Sequence, residues 1–257
     1  MKTYGLVDTH SHIDMPEFED LDAVVSNAQS FGVEKIIVPS VDRNSFEKVI
    51  EVSNKYENVY CALGIHPTEA KDAKDEDFDK IIQLAGDKKV VAIGECGLDY
   101  HWDKTFIDEQ KRAFLKQIEI AKSLKKPLII HDREAHKDCF DILTENINGE
   151  IPVIMHCFSG SLEFANECIK SGFYIALGGV VTFKNAKKVH EIAQKIPLEY
   201  LLLETDAPFL TPEPHRGERN EPAYVKFAAE KIAQLRGISF NEVAESTTQN
   251  ARKVFGI

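Results

Sequence analysis

Leu6-Val7-Asp8-Thr9-His10-Ser11-His12 is the stretch that decides how the rest of the chain is read. Its apolar start, after Met1-Lys2-Thr3-Tyr4-Gly5, suits the opening of a buried strand. Residues i and i+2 of a strand point to the same face. His10 and His12 therefore stand side by side where that strand ends. A lone histidine means little, whereas two imidazoles at strand spacing suit a divalent cation. A pair of satisfied surface histidines is the competing reading, and the remaining sequence decides between them.

The same unit recurs along the chain. Short Val- and Ile-rich runs at residues 6–10, 35–39, 59–65, 90–95, 128–131, 153–156, 173–177 and 201–206 alternate with amphipathic segments. Such alternation predicts βαβ units and a parallel sheet. Eight units over about 250 residues predict an α/β fold of the closed (β/α)8 TIM-barrel type, one domain over residues 1–257. A doubly wound open sheet is the alternative, but its glycine-rich G-x-G-x-x-G turn after the first strand is missing. Several helix limits are legible. Asp42 or Asn44 is available to cap a helix carrying Phe46, Val49 and Ile50. Ser161 precedes a stripe of Phe164, Ala165, Cys168 and Ile169 that Gly172 stops. A helix is expected over residues 224–235, and Ser239-Phe240-Asn241-Glu242 has the form of a capping box.

Composition narrows the function classes. The chain has 257 residues, 43% hydrophobic and 28% charged, as a soluble globular protein has. No stretch is apolar for ~18 residues, so no membrane helix is expected. No signal-peptide pattern opens the chain. The five cysteines include no CxxC pair, which points to a reducing, cytoplasmic setting rather than a disulfide framework. A net charge of -11 argues against a broad basic face for long nucleic acid. It leaves room for an enzyme that grips one strand end, where few phosphates are held and bound cations add positive charge.

In a parallel barrel the active site lies at the C-terminal ends of the strands. Those ends carry His10 and His12 on strand one, Glu95 on strand four, His131 on strand five, His156 on strand six and Asp206 on strand eight. Any one histidine after an apolar strand is adequately explained as a cap. Six such groups on one rim are not, because burying them together is costly without a metal. They exceed one tetrahedral site and fit two cations bridged by a carboxylate, with Glu95 the expected bridge. Strand alternation turns Cys96 and Cys157 away from the pocket, and all five cysteines are read as core. Glu204 points inward below Asp206, either orienting a ligand histidine or simply buried.

These stretches resemble the TatD-type deoxyribonucleases, a branch of the amidohydrolase-like metal-dependent barrels. The resemblance rests on Asp8-Thr9-His10-Ser11-His12, Gly64-Ile65-His66-Pro67, Gly94-Glu95-Cys96-Gly97-Leu98-Asp99-Tyr100, His131, His156-Cys157-Phe158-Ser159-Gly160, Glu204-Thr205-Asp206-Ala207-Pro208 and Arg216-Gly217-Glu218-Arg219-Asn220-Glu221-Pro222. Each is short, and together, in order over residues 8–222, they are specific. Related barrels often bridge their metals with a carboxylated lysine after strand four. Glu95 in that place favours the TatD-type branch. The resemblance implies phosphodiester hydrolysis in DNA and ligation by His10, His12, Glu95, His131, His156 and Asp206.

The expected activity is thus a metal-dependent deoxyribonuclease, exonucleolytic on DNA strand ends, with two divalent cations (Mg, Mn or Zn) and no obligate protein partner. Asp206 is the candidate general base and Glu95 the bridge. His66, Arg216, Arg219 and Asn220 are the candidate substrate-binding residues, the last three in the loop after strand eight where barrels commonly bind phosphate. Salt bridging to Glu213, Glu218 and Glu221 competes for the arginines. Tyr100, His101 and Trp102 either stack a terminal base or pack over the barrel mouth. Lys184, Lys187 and Lys188 either guide a strand or form a solvated helix face. Hydrolysis of an amide, ester or lactone at the same metals is the alternative activity, since a barrel does not fix the substrate. Metal binding without catalysis is a third reading.

Overall fold

Each apolar run becomes a strand, and the amphipathic segment after it carries the chain back to begin the next. The computed structural model describes residues 5–257. Its strands are β1 (Leu6–Asp8), β2 (Val33–Pro39), β3 (Val59–Leu63), β4 (Val90–Asp99), β5 (Leu128–Arg133), β6 (Val153–Met155), β7 (Tyr174–Leu177) and β8 (Leu201–Leu203). They form one parallel sheet in sequence order. The two edges meet at the C-terminal end. Thr9 donates its N–H to the Leu203 carbonyl at 3.0 Å, Asp206 to the His10 carbonyl at 2.9 Å, and Ser11 bridges to Ala207. The result is the (β/α)8 barrel. Residues 1–4, part of the segment leading into the first strand, lie outside the described residues.

The helices are α1 (Leu21–Ser30), α2 (Phe46–Lys55), α3 (Asp75–Leu84), α4 (Ile107–Leu124), α5 (His136–Asn146), α6 (Leu162–Lys170), α7 (Lys187–Lys195), α8 (Val225–Arg236) and α9 (Phe240–Phe255). Ser161 accepts from the Phe164 N–H at the start of α6, and Ser239 with Glu242 closes the capping box of α9. The caps expected for α2 differ. Ser45 precedes that helix, and Asp42 instead accepts from the Ser45 N–H at 2.9 Å to hold the loop. Among the described residues, no helix is long and apolar enough to cross a membrane.

One buried cluster takes a residue from every strand: Val7, Ile37, Ala62, Ala92, Ile129, Ile154, Ala176 and Leu202. This is the barrel interior, with small and branched side chains sharing a narrow space. Ala251, Val254 and Phe255 of α9 join the cluster. Thr248 and Asn250 bond to the carbonyls of Gly5 and Leu201, at the starts of β1 and β8. The C-terminal helix thus plugs the N-terminal end. A second cluster, including Ile36, Leu63, Cys96 and Phe114, fills the layer between strands and helices. The opposite end of the barrel is left to polar residues.

Candidate metal centre

Local irregularities aim the site residues. Between Ile93 and Cys96, β4 advances three residues while β5 advances two, from Leu128 to Ile130. This bulge lies at Gly94-Glu95, and bulges re-aim side chains beside functional sites. Gly97 follows at φ +140°, and a Cβ there would lie 2.0 Å from the His131 carbonyl oxygen. Glycine is therefore needed for β4 and β5 to approach. Past β8, Asp206 adopts φ +57°. Thr205 beside it is held by the fully buried Asp8, whose carboxylate accepts from the Thr205 N–H at 2.9 Å and hydroxyl at 2.6 Å. His10 and His12 lie beyond the end of β1 rather than in it, yet Ser11 keeps the segment extended enough for both rings to face one way.

The six expected ligands converge on Glu95, two histidines nearer each of its oxygens, and the His10 and His156 rings stack across the centre with centroids 3.5 Å apart. Glu95 Oε2 lies 3.1 Å from His10 Nε2 and 3.7 Å from His12 Nε2, and those nitrogens are 3.2 Å apart. Its Oε1 lies 2.8 Å from His131 Nδ1 and 3.6 Å from His156 Nε2. Asp206 Oδ1 stands between the groups, 3.7 Å from His12 Nε2 and 3.9 Å from both His10 Nε2 and His156 Nε2. Around a cation with ligand bonds of about 2.0–2.2 Å, donors lie roughly 3 Å apart. The donor set fits a divalent metal on these distances. It also fits on chemistry, since four imidazoles and two carboxylates converge with few donors between them.

The outer nitrogens differ between the groups. His156 Nδ1 donates to Glu204 Oε2 at 2.9 Å, and His131 Nε2 to Asp99 Oδ2 at 2.9 Å. Among the described residues, the buried His10 Nδ1 and His12 Nδ1 have no hydrogen-bond partner. Protonation follows this difference. Burial alone would lower His131 and His156. Hydrogen bonds to Asp99 and Glu95 outweigh it for His131 and hold it up to about 9. For His156 the charges of Glu204 and Glu95 do so, to about 10. Burial, reinforced by His156, keeps His10 neutral, well below the usual imidazole range. Burial raises Asp206 to about 6 against the pull of His156 and His12.

His66 stands beside the second group, its Nε2 3.1 Å from His131 Nδ1 and 3.7 Å from Glu95 Oε1. Burial and the neighbouring His131 lower it to about 3, so the ring is neutral. Its Nδ1 lies 2.7 Å from Thr68 Oγ1 and 3.2 Å from the Thr68 nitrogen, and its Nε2 faces the Glu95–His131 pair, with which it forms a further candidate cation-holding group.

A sequence model of the TatD related DNases matches residues 7–256. The chain belongs to the TatD family. It is similar to the uncharacterized metal-dependent hydrolase YabD of Bacillus subtilis, with 48% identity over 98% of this chain and 99% of that one. It is 34% identical, over 93% and 94% of the two chains, to a protein of Escherichia fergusonii named as the 3'-5' ssDNA/RNA exonuclease TatD. Among solved structures it resembles YjjV, a TatD homologue from Escherichia coli K12, with a TM-score of 0.93, 32% identity and 98% of each chain covered. This TatD-family chain is accordingly a metal-dependent hydrolase by kinship.

Other expected site residues stand differently. Asn220 is fully buried, and its amide is spent on the loop, donating to the carbonyls of Thr205 and Phe209 at 2.9 and 2.6 Å. The structure does not present it to a substrate. It holds the turn that carries Asp206. Arg216 and Arg219 are exposed on the same loop. Arg216 lies over the Phe183 ring and bonds to the Thr211 carbonyl, and Arg219 lies over Phe18 and bonds to the Glu17 carbonyl. The salt bridging weighed against substrate binding is slight, with Arg219 Nη2 3.7 Å from Glu221.

Cys157 corrects the strand-alternation argument. β6 ends at Met155, and Cys157 turns back at φ +44°. Its thiol lies within 4.8 Å of ligand atoms of His156 and Asp206. Burial and the Asp206, Glu204 and Glu95 carboxylates push that thiol's pKa well up, so it remains protonated. Cys96 does lie in the outer core, and all five cysteines are free. Asp99, the partner of His131, was not singled out from sequence. The signal was present, because Asp99 lies on the same strand four residues after Glu95.

Proposed function

We propose that this chain is a metal-dependent nuclease that hydrolyses phosphodiester bonds at DNA strand ends, acting as an exonuclease. The observation that carries the reading is Glu95, whose two carboxylate oxygens each face a different pair of histidines at the open end of the barrel. That donor set would hold two divalent cations: His10 and His12 on one side, His131 and His156 on the other, Glu95 between them and Asp206 touching both. Magnesium, manganese and zinc are the candidates. Such a pair, when bound, supplies Lewis-acid activation of a water and counter-charge for the phosphoryl oxygens.

The chain's own groups do the rest. Asp206, whose carboxylate reaches the histidines on both sides of Glu95, is the group placed to accept the proton of the attacking water. His66, beside Glu95 and His131, meets a phosphate oxygen or the leaving oxygen. Arg216 and Arg219 meet the phosphate next along the strand. Glu204 and Asp99 hold His156 and His131 in orientation. Five free thiols suit a reducing, cytoplasmic setting. The name of the Escherichia fergusonii relative supports a nucleic-acid substrate.

The test is a time course on end-labelled single- and double-stranded DNA and RNA with each metal, beside a panel of esters and lactones. The expected result is a ladder that shortens from one end. Turnover of esters or lactones with no cleavage of nucleic acid under any metal would overturn the proposal.

A further inference from the structure

We infer that Trp102 and Phe209 are two nucleobase-stacking platforms on opposite lips of the barrel mouth, gripping unpaired bases on either side of the scissile phosphate. The inference rests on the nuclease reading and names the residues that would select an unpaired strand. Trp102 is the chain's single tryptophan. It is 69% exposed, and Phe209 is 48% exposed. Among the described residues the only other large exposed apolar side chains are Ile82 and Leu115, on α3 and α4 of the outer layer. The two exposed aromatics are thus both on loops at the C-terminal rim, one after β4 and one after β8. In a ring of eight strands these positions are diametrically opposed.

Both rings hang from the metal centre by their own backbone amides. The Asp99 Oδ1 that accepts from the Trp102 N–H at 3.1 Å, and from the His101 N–H at 2.8 Å, belongs to the carboxylate that holds His131. The Phe209 N–H donates to the Asp206 carbonyl at 2.8 Å, and its ring centroid lies 6.5 Å from that of His12. The two rings thus flank the rim that carries Glu95 and Asp206. The Arg133 guanidinium lies 5.3 Å from the Trp102 ring centroid. One side of the indole is backed by a cation, which favours an electron-rich base on the other. The neighbouring polar rings are already engaged: Tyr100 donates to Asp138 at 2.8 Å, and His101 pairs with Glu134. Within this segment Tyr100 packs against the core while Trp102 stands exposed. A duplex keeps its bases stacked on each other and has none to offer, so the pair selects single-stranded ends.

The test uses the intrinsic fluorescence of Trp102 in the metal-loaded protein. The probe is a single-stranded phosphorothioate oligonucleotide that resists hydrolysis, with an abasic strand of the same length and charge beside it. The expected result is saturable quenching by the normal strand, little by the abasic strand or a blunt duplex, and weaker binding in F209A. On cleavable DNA, W102A and F209A should each lower kcat/KM about ten-fold, the effect of losing one base–aromatic contact. That loss should vanish when the facing nucleotide is abasic, which a merely structural defect would not produce. Equal quenching by normal and abasic strands, or equal losses on both, would overturn the inference. So would a Trp102 signal that follows protein concentration but ignores oligonucleotides, which would mark a contact between copies of the chain. If no strand is cut under any metal while base-dependent quenching persists, the platforms stand and the hydrolytic reading falls.

Discussion

The two halves of the centre look alike by composition, each with two histidines and one oxygen of Glu95, but they are built differently. In the His131/His156 half, each ring gives its second nitrogen to a buried carboxylate, Asp99 or Glu204. In the His10/His12 half, the buried second nitrogens have no hydrogen-bond partner among the described residues. A carboxylate behind a histidine fixes its orientation and raises its basicity. The backed half therefore makes stronger ligands that keep their protons longest. The bare half has weaker ligands, with His10 already deprotonated. Two cations held on either side of Glu95 would therefore bind with unequal strength and unequal pH response.

The largest expected effect comes from removing what the halves share. Glu95→Gln should cost roughly a thousand-fold or more in turnover and leave the dialysed protein short of metal in both halves. Near-normal metal content and activity would mean that Glu95 joins nothing. Asp206 is next, since its carboxylate lies within 3.9 Å of histidines in both halves. Asp206→Asn should lower kcat by about 10²–10⁴-fold while the melting temperature stays close to that of the parent. Normal turnover in this variant would remove Asp206 from the proton-accepting role.

Smaller effects separate the halves. Glu204→Gln and Asp99→Asn should each weaken one cation by about 10–100-fold and leave the other in place, read by equilibrium dialysis at two sites. Equal weakening of both cations would show that the halves are not distinct. Asn220→Ala should act through the loop that carries Asp206 rather than through substrate. A stability loss of about 1–3 kcal/mol by denaturant titration is expected, with KM for DNA changed less than kcat. A raised KM alone would restore Asn220 as a direct contact.

Much of the centre was legible in the sequence because a parallel barrel gathers its strand ends onto one rim. His10, His12, Glu95, His131, His156 and Asp206 needed only strand order to be grouped, and Glu204 only its two-residue spacing from Asp206. Reasoning by alternation failed where the chain leaves the strand. Cys157 adopts positive φ, which no two-residue period describes. Asn220 illustrates a different limit. A polar residue in a phosphate-binding loop and one that ties the loop to itself have the same sequence signature, and only the carbonyls of Thr205 and Phe209 distinguish them. The exposure of Phe209, in a loop rich in proline, likewise depends on where the turn after Asp206 points.

The central claim is that Glu95 joins two unequal cation sites. The direct measurement is calorimetric titration of metal-stripped protein with manganese or zinc across pH, in buffers of different ionisation enthalpy, which counts sites and released protons. In the metal-free protein His131 and His156 stay protonated below about 9 and about 10, so a cation must displace those protons. Affinity of that half should climb steeply as pH rises through neutrality, with about two protons released per cation. The His10/His12 half should bind with a shallower dependence on pH and with no proton lost from His10. Two events with different pH slopes are the expected result. A single event, or two that share one slope and one proton count, would contradict the account.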